Sequence, residues 1–205
     1  MPKPLNLYAV LAAAVAFGAP VLAQTTPSYT QADVRFMQGM IGHHAQALAM
    51  VALIPSRTTR PDLRALGERI RVSQTDEIAL MKQWLRDRDQ QIPADMSHAH
   101  EMSGHAMQMS GMTMADSLMP GMLTPQQMTQ LANAMGADFE VLFLKDMIQH
   151  HEGALTMVAK LLGTTGSGEE PEVFRFAAEV DTDQRAEIAR MNALLNTLQP
   201  TPATR

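Results

Sequence analysis

Apolar residues recur along this chain at spacings of three and four. No segment shows the strict alternation of a half-buried strand, so the pattern predicts helices. Thr30 is placed to cap a first helix, with Asp33 three residues on. The apolar period then runs to Ile54, where Pro55 is expected to stop it. Pro61 stands where a first-turn proline belongs and opens a second helix to about Arg88. Thr124-Pro125-Gln126-Gln127 opens a short helix that Gly136 is expected to end. A third long helix runs from about Asp138 to Leu162, closed by Gly163. Pro171 begins a fourth that ends before Pro200.

The same pattern occurs twice. Residues 36–51 and 143–158 align without gaps and are identical at nine of sixteen positions, including Met40/Met147, His43/His150, His44/His151 and Met50/Met157. Downstream, Gln74, Glu77, Ile78, Ala79 and Met81 match Gln184, Glu187, Ile188, Ala189 and Met191. Each half therefore reads as a helical hairpin, its first helix carrying Met and His-His and its second Gln-x-x-Glu-Ile-x-x-Met. A hairpin that cannot bury its apolar face alone must pack on its copy. The fold class that follows is all-α, a four-helix bundle made of two repeated hairpins.

Between the halves the helical period disappears. Residues 96–122 hold eight Met and three His, broken up by Gly, Ser and Pro. Met96, His98, His100, Met102, His105, Met107, Met109, Met112 and Met114 are its candidate metal ligands, since low-complexity His/Met composition suggests metal capture. A loop of this length is usually functional or disordered. A plain solvated linker would not normally be built from exposed methionine.

Composition sets the compartment. Lys3, the apolar run from Ala9 to Phe17 and the small-residue site Val21-Leu22-Ala23 read as a secretory signal peptide. The run is too short to span a membrane. The expected organisation is a signal peptide over 1–23, a first hairpin over 24–88, a Met/His-rich flexible insertion over 89–123, a second hairpin over 124–199 and a disordered tail over 200–205. The mature chain, expected to be periplasmic and soluble, carries 15 basic against 21 acidic residues, which speaks against nucleic acid as a partner. There is no Cys. Disulfides, thiolate ligands and a lipoprotein-type lipid site are thereby excluded, and Met is the durable soft ligand in an oxidising compartment.

Helix geometry narrows the candidates. Met40, His43, Ala47 and Met50 share one face, and Asp33, Met37, Met40 and His44 the neighbouring one. Consecutive histidines lie about 100° apart around the axis, so both reach one site only if it lies between those faces. Pairing the hairpins about a pseudo-twofold axis would bring four His, four or more Met and two Glu into one layer. Glu77 and Glu187 could orient the imidazoles or pair with arginines such as Arg69 or Arg175. Met50, Met81, Met157 and Met191 have the spacing of core filler, although Met50 and Met157 remain candidate ligands. One buried His is usually a satisfied core residue; two pairs at matching repeat positions favour ligation.

The doubled pattern, an aromatic-x-x-x-Met-Ile-x-His-His-x-x-Ala-x-x-Met helix followed by Gln-x-x-Glu-Ile, resembles the domain of unknown function 305 (DUF305) family across nearly the whole mature chain. The resemblance implies a ferritin-like bundle and, through exported members of the CopM type, copper binding and copper resistance. By that likeness Met40, His43, His44, Met147, His150 and His151 carry over as ligands. The expected function is an exported, non-enzymatic copper-binding protein that buffers or sequesters Cu(I). Cu(II) is a second cargo and Ag(I) a surrogate. The partners implied are metal ions, a copper efflux or transport protein, and further copies of the chain. A di-iron oxidase or ferritin needs Glu-x-x-His twice, which the chain lacks. A metal-free helical interaction module, gripping partners through Met surfaces, is the third reading.

Overall fold

The computed structural model describes residues 29–93 and 118–198. The signal-peptide region, the candidate ligands from Met96 to Met114 and the C-terminal tail lie outside these. Among the described residues the chain is all-helical, with no strand. Its helices are α1 (Gln31–Val51), α2 (Ile54–Arg57), α3 (Pro61–Arg86), α4 (Pro125–Asn133), α5 (Gly136–Leu162) and α6 (Pro171–Leu198).

The helix ends follow local chemistry. Thr30 Oγ1 accepts from the backbone N–H groups of Ala32 and Asp33, and Asp33 Oδ2 accepts from Thr30 N at 2.6 Å, completing a capping box. The other Asp33 oxygen accepts from Gly168 N at 2.7 Å, tying the start of α1 to the turn between α5 and α6. Thr124 and Gln127 form the same box on α4.

Two expected stops fall elsewhere. α1 already ends at Val51, and Pro55 lies in the first turn of α2, where its missing N–H is harmless. Gly136 does not end α4. That helix stops at Asn133, and Gly136, at φ 54°, turns the chain from extended Met135 into α5. α3 ends at Arg86, two residues short of the expected Arg88.

Contacts fix the helix directions. His44 meets Glu77 and Ile54 packs on Gly67, so α1 and α3 run antiparallel. His43 lies on His150 while Gly39 faces Met157 and Thr58 bonds Glu140, so α1 and α5 are antiparallel too. His151 meets Glu187 across α5 and α6. Trp84 and Arg88 reach Glu170 at the start of α6. Thus α1 and α6 point one way, α3 and α5 the other.

Burial divides the interior in two. One apolar cluster holds Met37, Met40, Met81, Trp84, Leu85, Val158 and Phe176; the other holds Met50, Leu66, Ile70, Phe139, Phe143, Met147 and Met191. Each long helix passes from one cluster to the other. Between them every long helix contributes polar residues, and that intervening layer is the candidate site.

Candidate metal centre

The polar layer follows from antiparallel register. α1 brings His43 and His44, α3 Gln74 and Glu77, α5 His150 and His151, α6 Gln184 and Glu187, and all are buried except Glu77, which is partly buried. The 100° step between adjacent helical residues separates each His-His pair. His43 and His150 turn inward and lie against each other, ring centroids 3.8 Å apart and planes 38° apart. His44 and His151 turn toward the partner helix of their own pair. His44 Nε2 lies 2.5 Å from Glu77 Oε2, and His151 Nε2 lies 2.5 Å from Glu187 Oε2. Both carboxylates are held by imidazole rather than by arginine.

Burial decides the charge of the central pair. All four imidazoles are 0% exposed. Burial, followed by the His44 charge, pushes His43 down to about 3 against the opposing pull of the Pro120 carbonyl. Burial, with His43 and its other imidazole neighbours, holds His150 well below the usual histidine range. The two stacked rings are therefore neutral. Burial alone would raise Glu77, but hydrogen bonds from His44 and from Ser73 Oγ, at 2.8 Å, hold it below its ordinary value.

Neutral rings leave lone pairs, and few of them are used. His43 Nε2 donates to the Pro120 carbonyl at 3.0 Å, so its Nδ1 carries the lone pair. In His44 and His151 it is Nε2 that lies on a carboxylate, and Nδ1 is the ring nitrogen left over. His43 Nδ1, His44 Nδ1, His151 Nδ1 and both nitrogens of His150 are buried without a hydrogen-bond partner. Gln74 Oε1 and Nε2 and Gln184 Oε1 are in the same position. Buried polar atoms are normally satisfied, because an unmade bond costs about 1–3 kcal/mol. Such a concentration of unused donors suits a bound metal, and a carboxylate behind the imidazole is the usual orienting partner of a metal-ligating histidine. Among the described residues no three His, Asp or Glu side chains already converge as a cage.

Residues 33–195 match the family described as Domain of unknown function (DUF305). The chain belongs to the DUF305 family. No curated protein matches it. A DUF305 fragment from Deinococcus radiodurans is 29% identical with a TM-score of 0.66, covering 83% of this chain and 99% of that one. A putative secreted DUF305 protein from Streptomyces coelicolor is 25% identical with a TM-score of 0.65, covering 88% and 100%. CopM in its Cu(II)-bound form is 26% identical with a TM-score of 0.59, covering 80% and 96%.

The other described sequence candidates of this DUF305 chain fall around the layer. Met40 and Met147, each three residues before a central histidine, lie fully buried in opposite apolar clusters because their helices run oppositely. Met37 lies in the cluster of Met40. Met50, Met81 and Met191 are buried among aliphatic and aromatic side chains, as core filler would be. Met157 is only partly buried. Sequence reading missed the Pro120 carbonyl and Asp146. Burial raises Asp146 to about 6, and its Oδ2 has no partner. The signal present was Gly39, Gly42 and Gly153, since glycine inside a helix marks close approach.

Proposed function

We propose that this protein is an exported copper-binding protein that buffers or sequesters Cu(I), and that it binds rather than catalyses. Cu(II) and Ag(I) would be accepted by the same donors. The observation that carries the reading is the layer of four sealed imidazoles with unused ring nitrogens. Imidazole serves both copper states, while the thioethers of Met37, Met40 and Met147 favour Cu(I). His44 and His151 would bind through Nδ1, with Nε2 kept on Glu77 and Glu187; His43 would bind through Nδ1 and His150 through either nitrogen.

The four long helices are read as a ferritin-like four-helix bundle. Their directions, with α1 and α6 opposed to α3 and α5, and the long connection between α3 and α5 support that topology. Likeness to the Cu(II)-bound CopM supports copper. Export is supported by the putative secreted neighbour; no described helix is long and apolar enough to cross a membrane. A di-iron centre needs four carboxylates with two histidines, whereas the two carboxylates of this layer already hold imidazoles.

Anaerobic Cu(I) titration of the mature chain against a chromophoric chelator tests the reading. The parent is expected to compete for Cu(I), and a variant with His43, His44, His150 and His151 all changed to Ala to lose most of that capacity. Equal binding by parent and variant would sink the proposal.

A further inference from the structure

Residues 119–123, leading into α4, cross the seam between α1 and α5 as a strap. Four hydrogen bonds hold it. Pro120 O accepts from His43 Nε2 at 3.0 Å, and Gly121 O accepts from Gln149 Nε2 at 3.3 Å. Gln46 clamps Leu123, accepting from its N–H at 2.7 Å and donating to its carbonyl at 3.0 Å. Glycine permits the approach: a β-carbon on Gly153 would lie 2.0 Å from the Pro120 oxygen, and Gly121 rests there at φ 75°.

The strap carries a thioether to a defined place. A β-carbon on Gly39 would meet the Met119 sulfur at 3.2 Å and the Met157 methyl at 3.4 Å. One on Gly42 would meet the Met119 methyl at 3.4 Å. The two glycines, one a turn before His43 and one directly before it, thus form a notch on α1 that is filled from the strap and from α5. Met119 and Met157 are partly exposed, whereas the four imidazoles are sealed. They are partly exposed residues with soft donor atoms, beside a histidine layer that is fully buried.

We propose that Met119 and Met157 form a thioether acceptance site for Cu(I), from which the ion passes to His43 and His150. The inference rests on the copper reading above. Thioethers select the soft, monovalent ion, and imidazoles accept it afterwards. The strap is fixed by its hydrogen bonds, so little ordering is needed when the ion arrives. Met119 also directly precedes the carbonyl that holds His43, which places acceptance one residue from the group orienting the inner ligand.

The test is the rate of Cu(I) transfer from a chromophoric chelator to the mature chain, followed anaerobically by stopped flow. Met119→Leu and Met157→Leu keep bulk and apolarity while removing sulfur. Each is expected to slow uptake about tenfold, equivalent to about 1.4 kcal/mol on the transfer barrier, with the final amount bound unchanged. Gly39→Ala keeps both sulfurs but fills the notch, and should slow uptake likewise. Met191→Leu, deep in the other cluster, should match the parent. His43→Ala/His150→Ala should lower the amount bound. In a second readout, Ag(I) should shift the Met119 and Met157 methyl resonances at the first addition. Parent-like rates in both Met variants would overturn this inference and leave the copper reading standing; a parent that takes up no Cu(I) would overturn both.

Discussion

His43 and His150 lie against each other in the centre of the protein, ring centroids 3.8 Å apart and planes tilted by 38°, and neither ring accepts a proton there at neutral pH. They come from equivalent positions of the two repeats, so each half supplies one ring of the central pair and one His–Glu pair. Whatever the layer binds should depend on both halves.

The first prediction follows from that equivalence. His43→Ala/His44→Ala and His150→Ala/His151→Ala should weaken Cu(I) competition by similar amounts. Parent-like binding by one double variant would mean that its half keeps the histidines for packing.

The carboxylates give the second. Glu77→Gln and Glu187→Gln should each weaken copper binding about 10–100-fold, the usual effect of losing the group behind a ligating histidine. Competition titration reads this directly. Unchanged affinity would show that both carboxylates serve folding alone.

Acid should unfold the protein in a defined window. His43 takes a proton at its ordinary 6.5 in the unfolded chain but only at about 3 in the fold, and His150 is also depressed. Below pH 6.5 the unfolded chain therefore binds more protons. This stability is complete above pH 6.5 and is lost as pH falls toward 3, by at most about 1.4 kcal/mol per pH unit for each ring. Thermal melts should show a falling Tm across that window, with a flatter slope in His150→Leu. A Tm independent of pH there would contradict the neutral pair.

Asp146 works with the opposite sign. Its folded value is raised from 3.8 to about 6, so the associated stability is present below pH 3.8 and is lost as pH rises through 6. Asp146→Asn should raise Tm at neutral pH by about 2–4 °C, equivalent to about 1 kcal/mol, and leave it unchanged in acid. A drop at neutral pH would show that the charged carboxylate has a partner.

The Met/His-rich stretch calls for a more careful deletion than the sequence alone suggests, because residues 119–123 belong to the packed structure. Removing 98–117 should lower copper stoichiometry and leave helix content intact by circular dichroism. Replacing only its Met residues by Leu should reduce Cu(I) capacity but spare Cu(II) capture by His98, His100 and His105. Unchanged Cu(I) capacity in both variants would make the stretch a linker.

Much of the fold was legible because its signals are local. Thr30 with Asp33 and Thr124 with Gln127 mark helix starts through bonds within one turn, and the prolines at 61 and 171 mark them through a fixed φ and a missing N–H. Pro55 and Gly136 misled, since each residue suits a helix start as well as an end and sequence alone does not say which. The layer itself was readable from the repeat. The division of each His-His pair between a stack and a carboxylate needed the neighbouring helices. The Pro120 bond spans 77 positions and is invisible to any periodicity.

A layer assembled from two like halves is what two separate hairpins would form as a symmetric dimer. Joining them in one chain removes the demand that they stay alike. Gly39 and Gly42 on α1 correspond in the repeat to Asp146 and Gln149 on α5, and Gln46 to Gly153. At these positions the copies have diverged, and the strap crosses against Gly39, Gly42, Gln46, Gln149 and Gly153. Covalent fusion lets one flank specialise while the shared histidines stay matched in sequence, so the molecule has a front and a back, and of the two central rings only His43 is held by the strap.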